Sequence, residues 1–347
     1  MTATMDRPGA PSVGAGAATV ASRVRDWAAK TPNAVAMREK DFGIWQEITW
    51  SMLWDQVVTA AHGLLALGVD VGDVVSIHSE DRPEWVILDL ATVAIRGIST
   101  GMYPTTPTAE VEYLANDAGA IVHFAEDQEQ VDQVLDLPRD RFPTVKKIIY
   151  VEPRGLRSYE DDRLMFWDEF MALGARHRQE HAGEVERRMA EATDEDIMTL
   201  VYTSGTTGPP KGAMLTNANA NFAMDLVINV DGRLPGNIKP GPDDQILTYL
   251  PLCHVAERIF STWTMAASGT VLNFAESIET VQLNLREIQP TLFFAVPRIW
   301  ERIHAMVLIR LQDATWLKRQ VTKLGLGLAN YIGKQRIANG GNHTLGS

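Results

Sequence analysis

The chain carries one short stretch dense in groups that bind phosphate. It reads Leu200-Val201-Tyr202-Thr203-Ser204-Gly205-Thr206-Thr207-Gly208-Pro209-Pro210-Lys211-Gly212, and four aliphatic hydroxyls, three glycines and a lysine fall within ten residues behind an apolar run. A polyphosphate needs backbone N–H groups that can come close, hydroxyl donors and a cation. Glycine supplies the first because it has no Cβ. The composition therefore suits a cradle for the phosphates of ATP.

Two other readings of the stretch are weaker. A P-loop reads G-x-x-x-x-G-K-[ST], with lysine directly after the last glycine and a hydroxyl residue next. Here Pro209 follows Gly208 and Gly212 follows Lys211, so the pattern fails at both places. The two prolines resist immediate entry into a helix, and Ala213, Met214 and Leu215 read as a strand. A ligand-free Ser/Thr/Gly surface turn is the plainer alternative, but a turn needs no such density of phosphate-directed groups beside a lysine.

The elements that must position this loop alternate between helix and strand. Leu53, Val57, Ala60, Leu64 and Leu67 share one helical face, with Ser51 as the expected N-cap and Gly68 as the stop. Val74, Val75 and Ile77 form a β-branched strand. A second helix then opens at Asp81 and Pro83 and runs to Gly97. Further strands are expected at Ile121–Phe124, Lys147–Val151, Met198–Tyr202, Ile246–Leu250, Thr270–Phe274 and Leu292–Val296, with helices at Glu110–Asn116 and Gln128–Leu135 and from Pro297 to about Tyr331. Strands separated by helices imply an α/β fold with mostly parallel sheets and helices layered on both faces. Residues 1–25 read as a mobile tail, 26–196 as a first α/β subdomain with a charged, solvated helical excursion at 154–196, and 197–347 as a second subdomain carrying the loop.

Composition narrows the partners. Against 32 Lys and Arg stand 44 Asp and Glu, a net charge of -12, and an acidic surface repels nucleic-acid phosphates. Cys253 is the sole cysteine, so the chain forms no intrachain disulfide and no cysteine metal cluster, which fits a reducing, cytoplasmic compartment. No uncharged apolar run approaches the roughly 20 residues that cross a bilayer, so any membrane contact would be peripheral. The Ala/Gly-rich start lacks the order of a signal peptide.

Tyr202 to Gly212 resembles the signature [YF]-[TS]-[ST]-G-[ST]-T-G-x-P-K-G of the acyl-adenylate-forming (AMP-binding) superfamily, and matches it throughout. The resemblance runs from about Thr31 to at least Arg302 and includes Ala61 to Asp73. Three segments look like the long-chain fatty acyl-CoA synthetase branch: Gly101-Met102-Tyr103-Pro104-Thr105, Leu250 to Arg258, and Val296-Pro297-Arg298-Ile299-Trp300-Glu301-Arg302.

The resemblance implies ligation of a long-chain fatty acid to CoA. A fatty carboxylate attacks the α-phosphorus of Mg·ATP, and CoA then displaces AMP from the acyl-adenylate. Thr203, Ser204, Thr206, Thr207 and the N–H groups of Gly205 and Gly208 would hold the β- and γ-phosphates, Lys211 would add charge, and Thr203 would lie nearest Mg2+. His254 matches the family position beside the carboxylate and acyl tunnel, where orientation rather than proton transfer is its implied role. Glu257 and Arg258, within one helical turn, read either as a structural ion pair or as substrate contacts, and Trp85 as core.

The sequence departs from the family in three respects. It has no Tyr-Gly-x-[ST]-Glu segment, no later Asp for the ribose hydroxyls, and no mobile C-terminal domain with its lysine. The expected fold is thus the N-terminal domain of the adenylate-forming enzymes, truncated before the last subdomain and the small C-terminal domain. The expectation is little turnover without a complementing C-terminal chain. A non-catalytic nucleotide- or acyl-binding scaffold is the competing reading, against which the intact loop with Lys211 argues.

Overall fold

The computed structural model describes residues 17–338 apart from 204–207 and 230–238. The chain opens with α1 (Val20–Lys30), the hairpin strands β1 (Val35–Asp41) and β2 (Ile44–Thr49), and α2 (Trp50–Ala66). Then follow β3 (Val74–His78), α3 (Pro83–Ala94), β4 (Ile98–Met102), α4 (Thr108–Ala118), β5 (Ala120–Ala125), α5 (Gln128–Leu135), β6 (Lys147–Tyr150) and β7 (Leu164–Phe166). Two helices, α6 (Trp167–Glu180) and α7 (Glu184–Ala190), precede β8 (Ile197–Thr203), β9 (Lys211–Thr216) and α8 (Asn217–Asn229). The last part holds β10 (Gln245–Thr248), the short α9 (Val255–Arg258), α10 (Thr264–Ser268), β11 (Val271–Phe274), α11 (Val281–Ile288), α12 (Pro297–Gln312) and α13 (Trp316–Ala338).

These elements build an α/β fold on two sheets. One has seven strands in the order β7-β6-β5-β3-β4-β8-β9, all parallel neighbours except the antiparallel β8–β9 pair. The other has the order β10-β11-β1-β2, parallel up to β1 and antiparallel at the β1–β2 hairpin. Every residue of β3 and of β5 is buried, the unbroken apolar pattern of strands covered on both faces. Helix α3 is buried at every position except Glu84, packed against α1, α2 and α7, which is why its sequence is largely apolar all round rather than on one stripe.

Several expectations are corrected. Residues 20–25 are not tail but the start of α1, where Thr19 closes a capping box with Ser22 and Val20, Val24 and Ala28 turn one apolar face inward. Neither sheet stops at residue 196, since β8 and β9 extend the sheet of β3–β7, and β1 and β2 join β10 and β11. The charged stretch 154–196 is not a solvated excursion. Its helices bury Trp167, Phe170, Val185 and Met189, and α6 lies so close on α2 that a Cβ at Gly174 would stand 2.0 Å from the Thr59 carbonyl oxygen. Helix α2 is capped by Thr49, not Ser51, and ends at the turn where Gly68 takes φ +81°. Leu292–Val296 forms one bridge, Leu292 to Ile246, instead of a strand. The final helical stretch breaks between Gln312 and Trp316, and no residue of α12 is buried. Among the described residues no helix is long and apolar enough to cross a membrane.

Candidate active site

Strand β8 delivers the loop. Its last residue, Thr203, pairs across the antiparallel ladder with Lys211, the first residue of β9, so the two ends of the phosphate-directed segment stand opposite each other. Thr203 and Lys211 are both exposed there. Gly208 takes φ +85°, a left-handed conformation that costs a side-chain-bearing residue energy. Ser204, Gly205, Thr206 and Thr207 lie outside the described residues.

Helix α4 braces both limbs. Tyr202 Oη donates to Asp117 Oδ2 at 2.7 Å, and Tyr113 Oη donates to the Pro210 carbonyl at 2.9 Å. The Tyr202 ring also packs on Gly212, where a Cβ would come within 3.1 Å of it. Burial, with the Asp117 hydrogen bond behind it, raises the Tyr202 phenol, so the group stays a neutral donor.

His254 lines the same cavity, of about 250 Å3, as Thr203 and Pro210. The cavity is completed by the end of β4 at Gly101, Met102 and Tyr103 and by Cys253. Cavities that enclose a whole small-molecule ligand run roughly 300–1,000 Å3, and this cleft is slightly smaller. His254 is the N-cap of α9, and its Nδ1 accepts from the Ala256 N–H at 3.2 Å. With that lone pair engaged, the neutral ring carries its proton on Nε2, which makes it a donor suited to a carboxylate or phosphate oxygen. Lys211 is not among the residues that line the cavity.

A second cavity, of about 280 Å3, has Glu39, Glu80, Asp81, Glu126, Glu276 and Glu279 in its lining together with Lys40 and Arg82. Its six acidic side chains disfavour phosphate, whereas the cleft shared by Thr203 and His254 has one acidic residue, Glu110, beside hydroxyl and imidazole groups. The cleft at Thr203 and His254 is therefore the one better suited to an anionic ligand.

The turn bearing His254 is fixed by contacts that no local pattern announces. Asp81 is not the N-cap of α3, a place held by Arg82 without a side-chain bond. It instead accepts from the Leu252 N–H at 2.8 Å, and its other oxygen has no partner. Burial pushes the Asp81 carboxyl well above the usual range. Glu257, 3% exposed, is likewise raised by burial and then by Asp81. Gly101 has to be small, because a Cβ there would stand 2.7 Å from both Cα and Cβ of Cys253. Arg258 does not pair with Glu257. It enters the core and meets Asp89 of α3, with both side chains 2% exposed. Trp85 is core, as read, and the Arg258 guanidinium lies over its ring.

The sequence profile of the AMP-binding enzyme family matches residues 24–331. The chain belongs to the AMP-binding enzyme family. A long-chain-fatty-acid–CoA ligase of Mus musculus, ACSBG2, is 29% identical to this AMP-binding chain over 271 residues, covering 77% of the chain and 39% of the relative. The FadD15 long-chain-fatty-acid–CoA ligase of Mycobacterium bovis is 31% identical over 288 residues, covering 82% and 44%. The chain thus spans about two fifths of the length of the curated relatives it matches. Among solved structures, the anthranilate CoA ligase AuaEII in complex with anthranoyl-AMP superposes with a TM-score of 0.63 at 20% identity, over 80% of this chain and 50% of that one. At that identity the likeness establishes the fold, that of the N-terminal domain of acyl-CoA ligases.

Proposed function

We propose that this AMP-binding chain is the phosphate- and acyl-binding portion of a long-chain fatty acid:CoA ligase that works through an acyl-adenylate. The observation that carries the reading is the shared cleft, whose lining includes both Thr203 at the mouth of the signature loop and His254. Long-chain fatty acid ligases among the relatives support the substrate class, and a structural neighbour holding an acyl-adenylate supports the intermediate.

In this account the fatty carboxylate enters beside His254, whose Nε2–H orients one carboxylate oxygen so that the other attacks the α-phosphorus of ATP. The bond to pyrophosphate breaks as the acyl–phosphate bond forms. Thr203, Ser204, Thr206 and Thr207, the N–H groups of Gly205 and Gly208, and the Lys211 ammonium take up the charge growing on the leaving phosphates. Mg2+ would be held mainly by those phosphates with the Thr203 hydroxyl beside them, which suits an ion that usually takes only one or two protein ligands. CoA thiolate then displaces AMP. The signature loop supplies charge stabilisation, and on this reading turnover also depends on adenine and ribose contacts that the loop does not make.

The test is equilibrium binding of a non-hydrolysable palmitoyl-adenylate analogue to the purified chain, beside an aryl-adenylate analogue. The palmitoyl compound should bind, His254→Ala should weaken it by roughly three- to tenfold, the scale of one lost hydrogen bond to the now uncharged acyl oxygen, and the aryl compound should bind less well. Preference for the aryl compound, or indifference to His254→Ala, would overturn the reading. Robust palmitoyl-CoA synthesis by the chain alone would contradict the clause on turnover.

A further inference from the structure

His254 and the phosphate loop belong to different parts of the fold, and one buried side chain spans the gap between them. Arg258 ends the short helix that His254 caps, and it is 1% exposed. Its Nη1 donates to Thr199 Oγ1 at 2.6 Å, and its Nη2 donates to Asp89 Oδ1 at 2.5 Å and reaches Ser99 Oγ at 3.5 Å. The guanidinium lies 5.3 Å from the ring of Trp85 and 5.8 Å from that of Trp263. Ser99 Oγ donates to the same Asp89 oxygen, and Thr199 Oγ1 donates to the Ser99 carbonyl. One fork therefore ties α9 to α3, β4 and β8, and β8 runs straight on from Thr199 to Thr203.

Stability alone is a poor reason for this arrangement. A buried ion pair can often be replaced by apolar side chains at no loss, because desolvation offsets the attraction, and Arg258 Nε is left without a partner. What a guanidinium offers and a leucine does not is a set of bonds with fixed directions. We infer that Arg258 is a positioning residue, which sets the His254 turn at its working distance from the strand that carries the phosphate loop. This rests on the reading of the cleft as the adenylation site.

The sole cysteine supplies a probe that does not depend on that reading. Cys253 lies beside His254 on the cavity wall, and burial raises its thiol, so it reacts slowly while the turn is seated. In the paired variant Arg258→Met/Asp89→Leu no charge is left stranded. It is expected to stay folded, with Cys253 reacting at least tenfold faster with an aromatic disulfide reagent and Mg·ATP bound at least tenfold more weakly. Gly174→Ala, which strains the α2–α6 contact, serves as the destabilised control and should leave the Cys253 rate in native buffer near the parent value. A folded paired variant with the parent's Cys253 rate and Mg·ATP affinity would overturn the inference. If the paired variant does not fold, Arg258→Lys keeps the charge but cannot reach Thr199 and Asp89 together, and an unchanged Cys253 rate there would overturn it equally. Failure of the parent chain to bind Mg·ATP would instead count against the proposed function, with the Cys253 rate still deciding whether Arg258 seats the turn.

Discussion

A methyl group at Gly101 has nowhere to go. The end of β4 and the backbone of Cys253 touch there, and moving either opens the cleft that His254 faces. Gly101→Ala should cost about 1–3 kcal/mol, the usual range for overpacking a tight contact. It should also speed Cys253 labelling, which thermal unfolding and thiol kinetics together would show. Normal stability with normal labelling would mean the contact is looser than described. At this scale the sequence reveals what is contiguous. The loop from Thr203 to Lys211 can be proposed as a site from sequence because its residues lie in one segment, and His254 because of its flanking pattern. Asp81 is misread because a carboxylate before a proline looks like a helix cap, and its true partner, Leu252, is 171 residues away. Arg258 is misread for the same reason, since Glu257 is adjacent whereas Asp89 is 169 residues away.

At the scale of elements, the α2–α6 contact shows two opposing effects of one substitution. Alanine in place of a helical glycine normally gains about 1 kcal/mol of helix propensity. At Gly174 the added carbon meets the Thr59 carbonyl at 2.0 Å, a backbone atom that cannot swing aside. Overpacking, about 1–3 kcal/mol or more, should win, so Gly174→Ala should lower the melting temperature, and a rise would contradict the packing. The helix itself is hard to read from sequence, because Phe170 and Gly174 are set among charges that suggest an exposed face.

Strands β3 and β5 bring His78 and His123 together in the core, both fully buried. Burial first, and then His78, pushes His123 down to about 3, while burial lowers His78 to about 4. Both are neutral in the fold, but in the unfolded chain they take up protons below about pH 6.5. Stability from this pair is thus complete above pH 6.5 and is lost as pH falls toward 4 and 3, by on the order of 3–5 kcal/mol for His123. Glu39, raised to about 7 by burial and then by Glu84, acts oppositely across part of that range, so the parent has to be compared with a variant. His123→Asn, which keeps a partner for Ser76 Oγ, should flatten the acid limb of a urea-unfolding series between pH 7 and 4. Parallel limbs would show that His123 is not held neutral.

For the whole molecule, the two sheets interleave early and late parts of the chain, so a linear division at residue 196 misses the architecture even though most of its strands are read correctly. The α/β class follows from the alternation of strand and helix, whereas the joining of β1 to β11 depends on a pairing across more than 200 residues that no window contains. Helices α12 and α13 add a different property. Leu317, Val321, Leu324 and Leu328 recur at helical spacing and are 60–75% exposed, a contiguous apolar stripe of a kind that drives association. The 347-residue chain should therefore self-associate with rising concentration in sedimentation velocity, and Leu324→Glu/Leu328→Glu should shift it toward monomer. A parent chain that stays monomeric at high concentration would contradict this.

If the loop from Thr203 to Lys211 holds the outer phosphates of a nucleotide, calorimetric titration of the folded chain with Mg·ATP, magnesium tripolyphosphate and AMP shows it most directly. Mg·ATP and tripolyphosphate should bind and compete, AMP should bind far more weakly, and Lys211→Ala should weaken the first two by roughly tenfold, the scale of one charge-assisted contact. AMP binding as tightly as Mg·ATP, or a Lys211→Ala chain that binds like the parent, would contradict the account.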